Sequence, residues 1–427
     1  MLSSPRLRNW FPFLSWPRLT PALARNEVMA SLTVAVVMVP QSVAYAGLAG
    51  MPLVTGLYAT FLPALFAVLF SRSTRLSVGP SALSSVLVGA SLVGLAEPGS
   101  AQWVALAAWL ALLSGAIQLG LGAGGGAWVL NLVTSPVMAG FTQAAALLII
   151  ASQVPGLIGL EGGLSTLLHS PKIDPVALAF GLGSVVLFVL GKRHVPKLPT
   201  VLLVVAASAA IAKFTGYSAH GLVIGSLPVG LPSLYWPGLP GWETLGALVV
   251  PAMVITLVSS LEMASSAKIE NQREGRRWDA DQDLIGQGAG KLAAAFSGSF
   301  PTSTSFSRSA ITLYSGAKTG WSTVSATAVV VIVLLFLTPV LQHVPRAVLA
   351  AVVVTAVYGL FKPKVLLDLW RVDRVEAGTG FVTFAVTILT APRIYWGVLA
   401  GVLMALAHFL YLRLHPRIIE VGLHGDG

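Results

Sequence analysis

The sequence predicts an all-α polytopic membrane protein: 14 transmembrane segments as two inverted repeats of seven (7+7), with broken half-helices at segments 3 and 10. Composition is the first observation behind this. Of 427 residues, 55% are hydrophobic and 10% are charged, with a mean hydropathy of +0.82. A soluble domain carries roughly 25% charged residues. The polar groups here are too few to cover a water-facing surface, so lipid must cover it. The other two observations are the order of the apolar runs and the placement of Lys and Arg.

Apolar runs lie at about 28–47, 53–70, 80–96, 102–121, 135–159, 174–191, 199–215, 246–267, 283–297, 305–316, 321–342, 346–361, 375–391 and 395–413. A spanning helix needs roughly 20 apolar residues. Runs 80–96 and 305–316 are short and open on small residues and proline, in LSVGPSALSS (76–85) and GSFPTSTSFSRS (298–309). Each is the third run of its half. An odd number of crossings per half gives the two halves opposite orientations. Interrupted segments at corresponding places are the best sequence pointer to a transporter's binding site.

With the N-terminus inside, the inner segments hold Arg6, Arg8, Arg18, Arg25, Arg72, Arg75, Lys192, Arg193, Lys197, Lys268, Arg273, Arg276, Arg277, Lys318, Lys362, Lys364, Arg371, Arg374, Arg413 and Arg417. The outer ones hold Lys172, Lys213, Arg346 and Arg393. That bias is the positive-inside pattern. It implies a multi-pass protein of the cell inner (plasma) membrane with both termini cytoplasmic. It also accounts for the net charge of +10 without a nucleic-acid partner. Residues 1–26 lack the apolar core of a secretory signal and read as an amphipathic entry segment at the cytoplasmic surface. Cysteine is absent and the seven His are scattered, so no metal set is expected and no cofactor is implied.

The first N–H groups of a helix are unpaired and carry partial positive charge. Helices starting near Ser81 and Ser307 could therefore face each other and hold an anion largely with backbone. Ser81, Ser84, Ser305 and Ser307 add hydroxyl donors, although a serine in a span often bonds only its own helix. Arg308 falls just inside the second broken helix. A lone Arg in a span faces a cavity or a partner, or reaches the interface by its length. Glu262 is the most deeply placed acid by sequence. It carries a proton, neutralises a cation such as Arg308, or is a helix-end glutamate close to water, since Lys268 and Glu270 follow soon after. In the first span Gln41 and Tyr45 share a helical face. They line a cavity together, or Gln41 repairs the backbone gap at Pro40 while Tyr45 packs on a neighbour. Lys291 is a second intramembrane cation, which either reaches the interface or pairs with Glu262. Asp279, Asp281 and Asp283 read as the acidic start of a helix, and glycines 286, 288 and 290 suit close helix packing.

At these residues the chain resembles the SulP sulfate-permease family, also called solute carrier family 26. VPQSVAYAGLAGMPLVTGLYATFLPALFAVLFSRSTRLSVGPSALSS (39–85), FPTSTSFSRSAITLYSGAKT (300–319) and SSLEMASSAKIE (259–270) carry the likeness, which runs from about 27 to 413. The resemblance implies a transmembrane domain over 27–413. Its core would be about 27–121 and 246–342, and its gate about 127–215 and 345–413. A cytoplasmic tail would follow over 414–427, without the STAS domain usual in the family. By motif match, substrate would meet Gln41, Tyr45, Ser81, Ala82, Leu83, Ser305, Phe306, Ser307 and Arg308. Glu262 would couple transport to a proton or sodium, in a homodimer moving as an elevator. Lys291 departs from the family pattern, which implies a small polar residue such as Asn there. The expected function is secondary active transport of a small anion (a dicarboxylate such as fumarate, sulfate or bicarbonate), with proton symport. An anion channel or passive exchanger is the alternative, and a nucleobase carrier on the same fold is the second. An enzyme is not expected, since no nucleophile–base or metal set appears.

Overall fold

The computed structural model describes residues 10–160, 173–195 and 198–414. Arg6, Arg8, Lys172, Lys197, Arg417 and tail residues 415–427 lie outside the described residues. The chain is helical nearly throughout. Its principal helices are α1 (Pro21–Leu48), α2 (Thr55–Phe70), α3 (Ala82–Leu92), α4 (Ala101–Ala123), α5 (Ser135–Leu157), α6 (Pro175–His194), α7 (Thr200–Phe214), α8 (Trp242–Arg273), α9 (Ala280–Phe296), α10 (Phe306–Tyr314), α11 (Trp321–Ile332), α12 (Arg346–Tyr358), α13 (Arg374–Leu389) and α14 (Tyr395–Leu414). A π-helical turn (Val333–Leu337) extends α11 to Leu341. A short helix not anticipated from hydropathy, Lys364–Val372, precedes α13. Among the described residues, α1, α4, α5, α6, α8 and extended α11 are long and apolar enough to cross a membrane.

The helix starts follow local chemistry. Thr20, Ser100 and Asp279 each accept a backbone N–H of the first turn, from Leu23, Trp103 and Gln282. Asp281 and Asp283 then occupy the first turn of α9, as expected of an acidic helix start. Before α1, Phe11 packs at a tilt against Phe70 and Trp16 meets Trp321 edge-on, which ties the entry segment to the end of α2 and the start of α11.

The two short helices are the exceptions in length. With 11 residues in α3 and 9 in α10, they reach about 16 and 14 Å at 1.5 Å per residue. Neither spans a hydrocarbon layer of about 30 Å. Each is preceded by extended chain, and the two stretches pair as antiparallel strands, β1 (Val78–Gly79) and β2 (Ser303–Thr304). Val78 faces Thr304 and Gly79 faces Ser303. Gly79 is required there, because a Cβ would lie 3.0 Å from Thr60 Cγ2 and 3.4 Å from Arg308 Nη2.

Glycines bring the long helices close. α9 lies between α2 and α4. A Cβ at Gly288 would meet Leu119 N at 2.6 Å and Gly115 O at 2.9 Å, and one at Gly290 would meet Pro63 O at 2.8 Å. In a separate set of contacts α5 packs on α12 and α13, where Gly140 lies against the carbonyl of Gly380. Gly288→Ala should therefore lower stability by about 1–3 kcal/mol through backbone displacement. Gly120→Ala, where a Cβ meets open space, should stay within about 0.5 kcal/mol of the parent. Thermal melting of the two purified variants checks this; equal melting would contradict the packing described.

Candidate functional site

The paired strands set the starts of α3 and α10 side by side. Ser81 caps α3, its Oγ accepting Ser84 N–H at 3.2 Å. The same hydroxyl donates to Glu262 Oε2 at 2.9 Å. Ser303, from β2, donates to that same carboxylate oxygen. One acid on α8 therefore holds a hydroxyl from each broken segment. Ser84 Oγ donates to Pro301 O at 3.2 Å, and Ser305 N–H to Ser77 O at 3.0 Å, completing the joint.

Arg308 crosses this joint and is fully enclosed. Its Nε donates to Ser77 Oγ at 3.2 Å and its Nη2 to Pro80 O at 2.9 Å. Ser77 N–H in turn donates to Ser309 Oγ at 2.9 Å. The guanidinium neither reaches the bundle surface nor forms an ion pair with a carboxylate among the described residues. It clamps the chain leading into α3, and its buried Nη1 has no partner there. Ser305 makes no side-chain cap bond, so the first N–H groups of α10 stay available. Ser305 Oγ lies 3.4 Å from Ser307 Oγ. Ser307 and Phe306 are exposed, whereas Arg308 behind them is not.

From α1, Tyr45 and Gln41 are buried. Tyr45 lies within electrostatic reach of both Arg308 and Glu262. Buried Gln41 Oε1 has no partner among the described residues. α1 runs unbroken through Pro40, with Ser42 Oγ bonding Val39 O at 2.8 Å. Ala82 and Leu83 open α3 and point into two different apolar clusters, the first shared with Tyr45 and the second with Trp103 and Ile255. What these two can offer a ligand is backbone N–H.

By exposure, Asp283, Glu27 and Glu270 are more enclosed than Glu262, which is only partly buried. Depth along a hydropathy profile and enclosure by side chains differ, because Glu262 opens toward the site while the other three close onto loops. Asp283 accepts Arg72 N–H and Ser73 N–H, each at 2.8 Å, and Trp278 Nε1–H at 2.8 Å. Glu270 accepts Thr74 N–H at 3.1 Å and Arg75 Nε–H at 3.2 Å. Glu27 accepts Lys318 and Thr319 N–H at 3.1 and 2.9 Å. Sequence reading missed these clasps, and it missed Ser303 and Ser77. The signal available was position, Ser303 in the Ser/Thr run beside Arg308 and Ser77 in the LSVGPSALSS stretch that opens the first broken segment.

Residues 25–383 match the sulfate permease family. The chain belongs to that family. Over 98% of its length it is 32% identical to the chloroplastic sulfate transporter 4.1 of Arabidopsis thaliana, and it spans 64% of that relative. Two solved structures share the fold. The murine solute carrier 26 family member A9 anion transporter aligns with a TM-score of 0.88 at 23% identity, over 96% of this chain and 73% of that one. The transmembrane domain of the cyanobacterial bicarbonate transporter BicA aligns with a TM-score of 0.76 at 18% identity, over 91% and 98%. The sulfate permease assignment agrees with the long apolar helices of the fold. Arg308→Lys should keep the fold but lose the two-sided clamp, since an ammonium cannot reproduce the guanidinium fork. With inorganic sulfate as an anion probe, any upward melting shift of the parent should be lost in the variant. An equal shift in both would remove Arg308 from the site.

Proposed function

We propose that this protein is a secondary active transporter of small anions, sulfate first, with bicarbonate and dicarboxylates such as fumarate as competitors. The observation that carries the proposal is the antiparallel joint that puts two helix N-termini beside a buried guanidinium whose Nη1 has no partner among the described residues. In a low-dielectric interior, unpaired N–H groups and a fixed cation together favour an anion. The substrate is held by the first-turn N–H groups of α3 and α10 (Ala82, Leu83, Phe306 and Ser307), by the hydroxyls of Ser81, Ser305 and Ser307, and by Gln41 and Tyr45. Sulfate is placed first because the Arabidopsis relative is named a sulfate transporter.

Glu262 carries the coupling proton. Its carboxylate holds Ser81 and Ser303, one from each half-site. Protonation of the shared oxygen would release a hydroxyl acceptor at both helix starts at once. Coupling then follows from geometry: binding of the anion and loading of the proton act on the same joint. The moving core comprises α1–α4 and α8–α11, the gate α5–α7 and α12–α14, in two inverted seven-helix repeats. The packing of α9 on α2 and α4, and of α5 on α12 and α13, supports that division. The charge bias along the sequence supports cytoplasmic termini, and the working unit is a homodimer.

In proteoliposomes, labelled sulfate uptake should rise as external pH falls, and an inward proton gradient should drive accumulation. Glu262→Gln, which keeps the shape but cannot exchange a proton, should flatten that dependence. A variant with the parent's pH response would end the coupling role. Conductance linear in voltage and too fast for a carrier would replace the transporter with a channel.

A further inference from the structure

Lys291 is a buried cation that the anion site does not use. It lies in α9 and is fully enclosed. Of the three N–H donors of an ammonium, one bonds Gln118 Oε1 at 2.7 Å and another bonds Ser259 Oγ. Both acceptors are neutral. Gln118 is itself oriented, its amide donating to Ser260 Oγ at 2.9 Å. The stem is sealed by the close approach of α4 and α9, where a Cβ at Gly115 would come within 3.0 Å of Lys291 Cβ. This is a built pocket, not a side chain reaching for water.

A charge so enclosed requires a counter-charge. Among the described residues no ion pair joins Lys291 to an acid. Glu262 supplies the charge at longer range. It lies one helical turn beyond Ser259 on α8, so the acid and the hydroxyl holding Lys291 share a face. The two groups attract one another. The other charged or titratable groups near the carboxylate are Arg308 from α10 and Tyr45 from α1. Arg308 is already engaged with Ser77 and Pro80. α2 meets α9 through Pro63 and Ala67, which bear no charge, and α4 contributes Gln118.

An amide oxygen, a hydroxyl oxygen and a carboxylate within electrostatic reach form the type of oxygen set that hard cations select. We propose that Lys291 is a tethered counter-cation for Glu262, filling with a side chain the place that a mobile monovalent cation such as Na⁺ would otherwise take. Transport is then independent of metal cations because the cation is built into α9. Replacing the ammonium by a short neutral side chain leaves Gln118 and Ser259 facing a polar hole beside an unbalanced carboxylate, which is a cation site. The transport part of this inference rests on the function proposed above; the binding part does not.

The test compares the parent with Lys291→Asn in NaCl, KCl and choline chloride at equal ionic strength. The parent should melt at one temperature in all three salts. The variant should melt about 2–4 °C higher in NaCl than in choline chloride. Its labelled sulfate uptake should become Na⁺-stimulated about fivefold or more. A folded variant that melts alike in all three salts overturns the proposal. If Lys291→Asn yields no folded protein, the doubly neutral Glu262→Gln/Lys291→Asn variant decides. Recovery of a monodisperse protein supports mutual charge compensation, and continued misfolding overturns it. Melting reads cation binding without transport, so a parent that fails to take up sulfate sinks the transport reading alone.

Discussion

Everything in this fold depends on how two non-helical stretches satisfy their backbone inside a bundle of apolar helices. Unpaired N–H and C=O groups away from water are costly, and lipid offers them nothing. Val78–Gly79 and Ser303–Thr304 solve this by pairing with each other. The hydroxyls of Ser77, Ser84 and Ser309 and the guanidinium of Arg308 take up the neighbouring groups. The bonds that make the breaks tolerable also fix where α3 and α10 begin. The anion site proposed above is thus a by-product of helix ends that had to be buried together.

Charge is arranged in two tiers around this joint. At one tier, Asp283, Glu270 and Glu27 accept loop N–H groups and hold the chain after α2 and after α10. Arg75 adds ion pairs to Glu270 and Glu274 and reaches Ala317 O, tying both loops to the end of α8. At the other tier, Glu262 lies within electrostatic reach of both Arg308 and Lys291, and its bonds run to serines while those of Lys291 run to Gln118 and Ser259. The first tier is held by at least two backbone N–H groups on each of its carboxylates. The second retains capacity at Arg308 Nη1, which has no partner among the described residues, and such capacity is what ligand exchange requires.

Helix proximity explains how these groups are held. α9 can lie between α2 and α4 because glycines face backbone there, and that approach carries Lys291 to Gln118 and Ser259. A larger side chain at Gly115 or Gly288 would push α4 and α9 apart where they enclose Lys291. The small residues are therefore part of the electrostatics as well as of the packing.

Sequence alone determined the class of molecule, the approximate positions of its principal helices and the two broken starts, but not the short helix Lys364–Val372, because hydropathy, caps and proline–serine punctuation act over a few residues. It also nominated Gln41, Tyr45, Ser81, Glu262 and Arg308, since polar groups in apolar runs stand out. Only tertiary structure decided their partners. Arg308 bonds Ser77 and Pro80, over 220 positions away, and no local pattern encodes that. Lys291 proved neither surface-seeking nor directly paired with Glu262, because Gln118, 173 positions distant, intercepts its ammonium. Ser303 escaped notice because one serine in a Ser/Thr run looks like any other until the strand pairing turns it toward Glu262. Local propensity fixes which residues can make a polar contact; chain crossing fixes which contact each one makes.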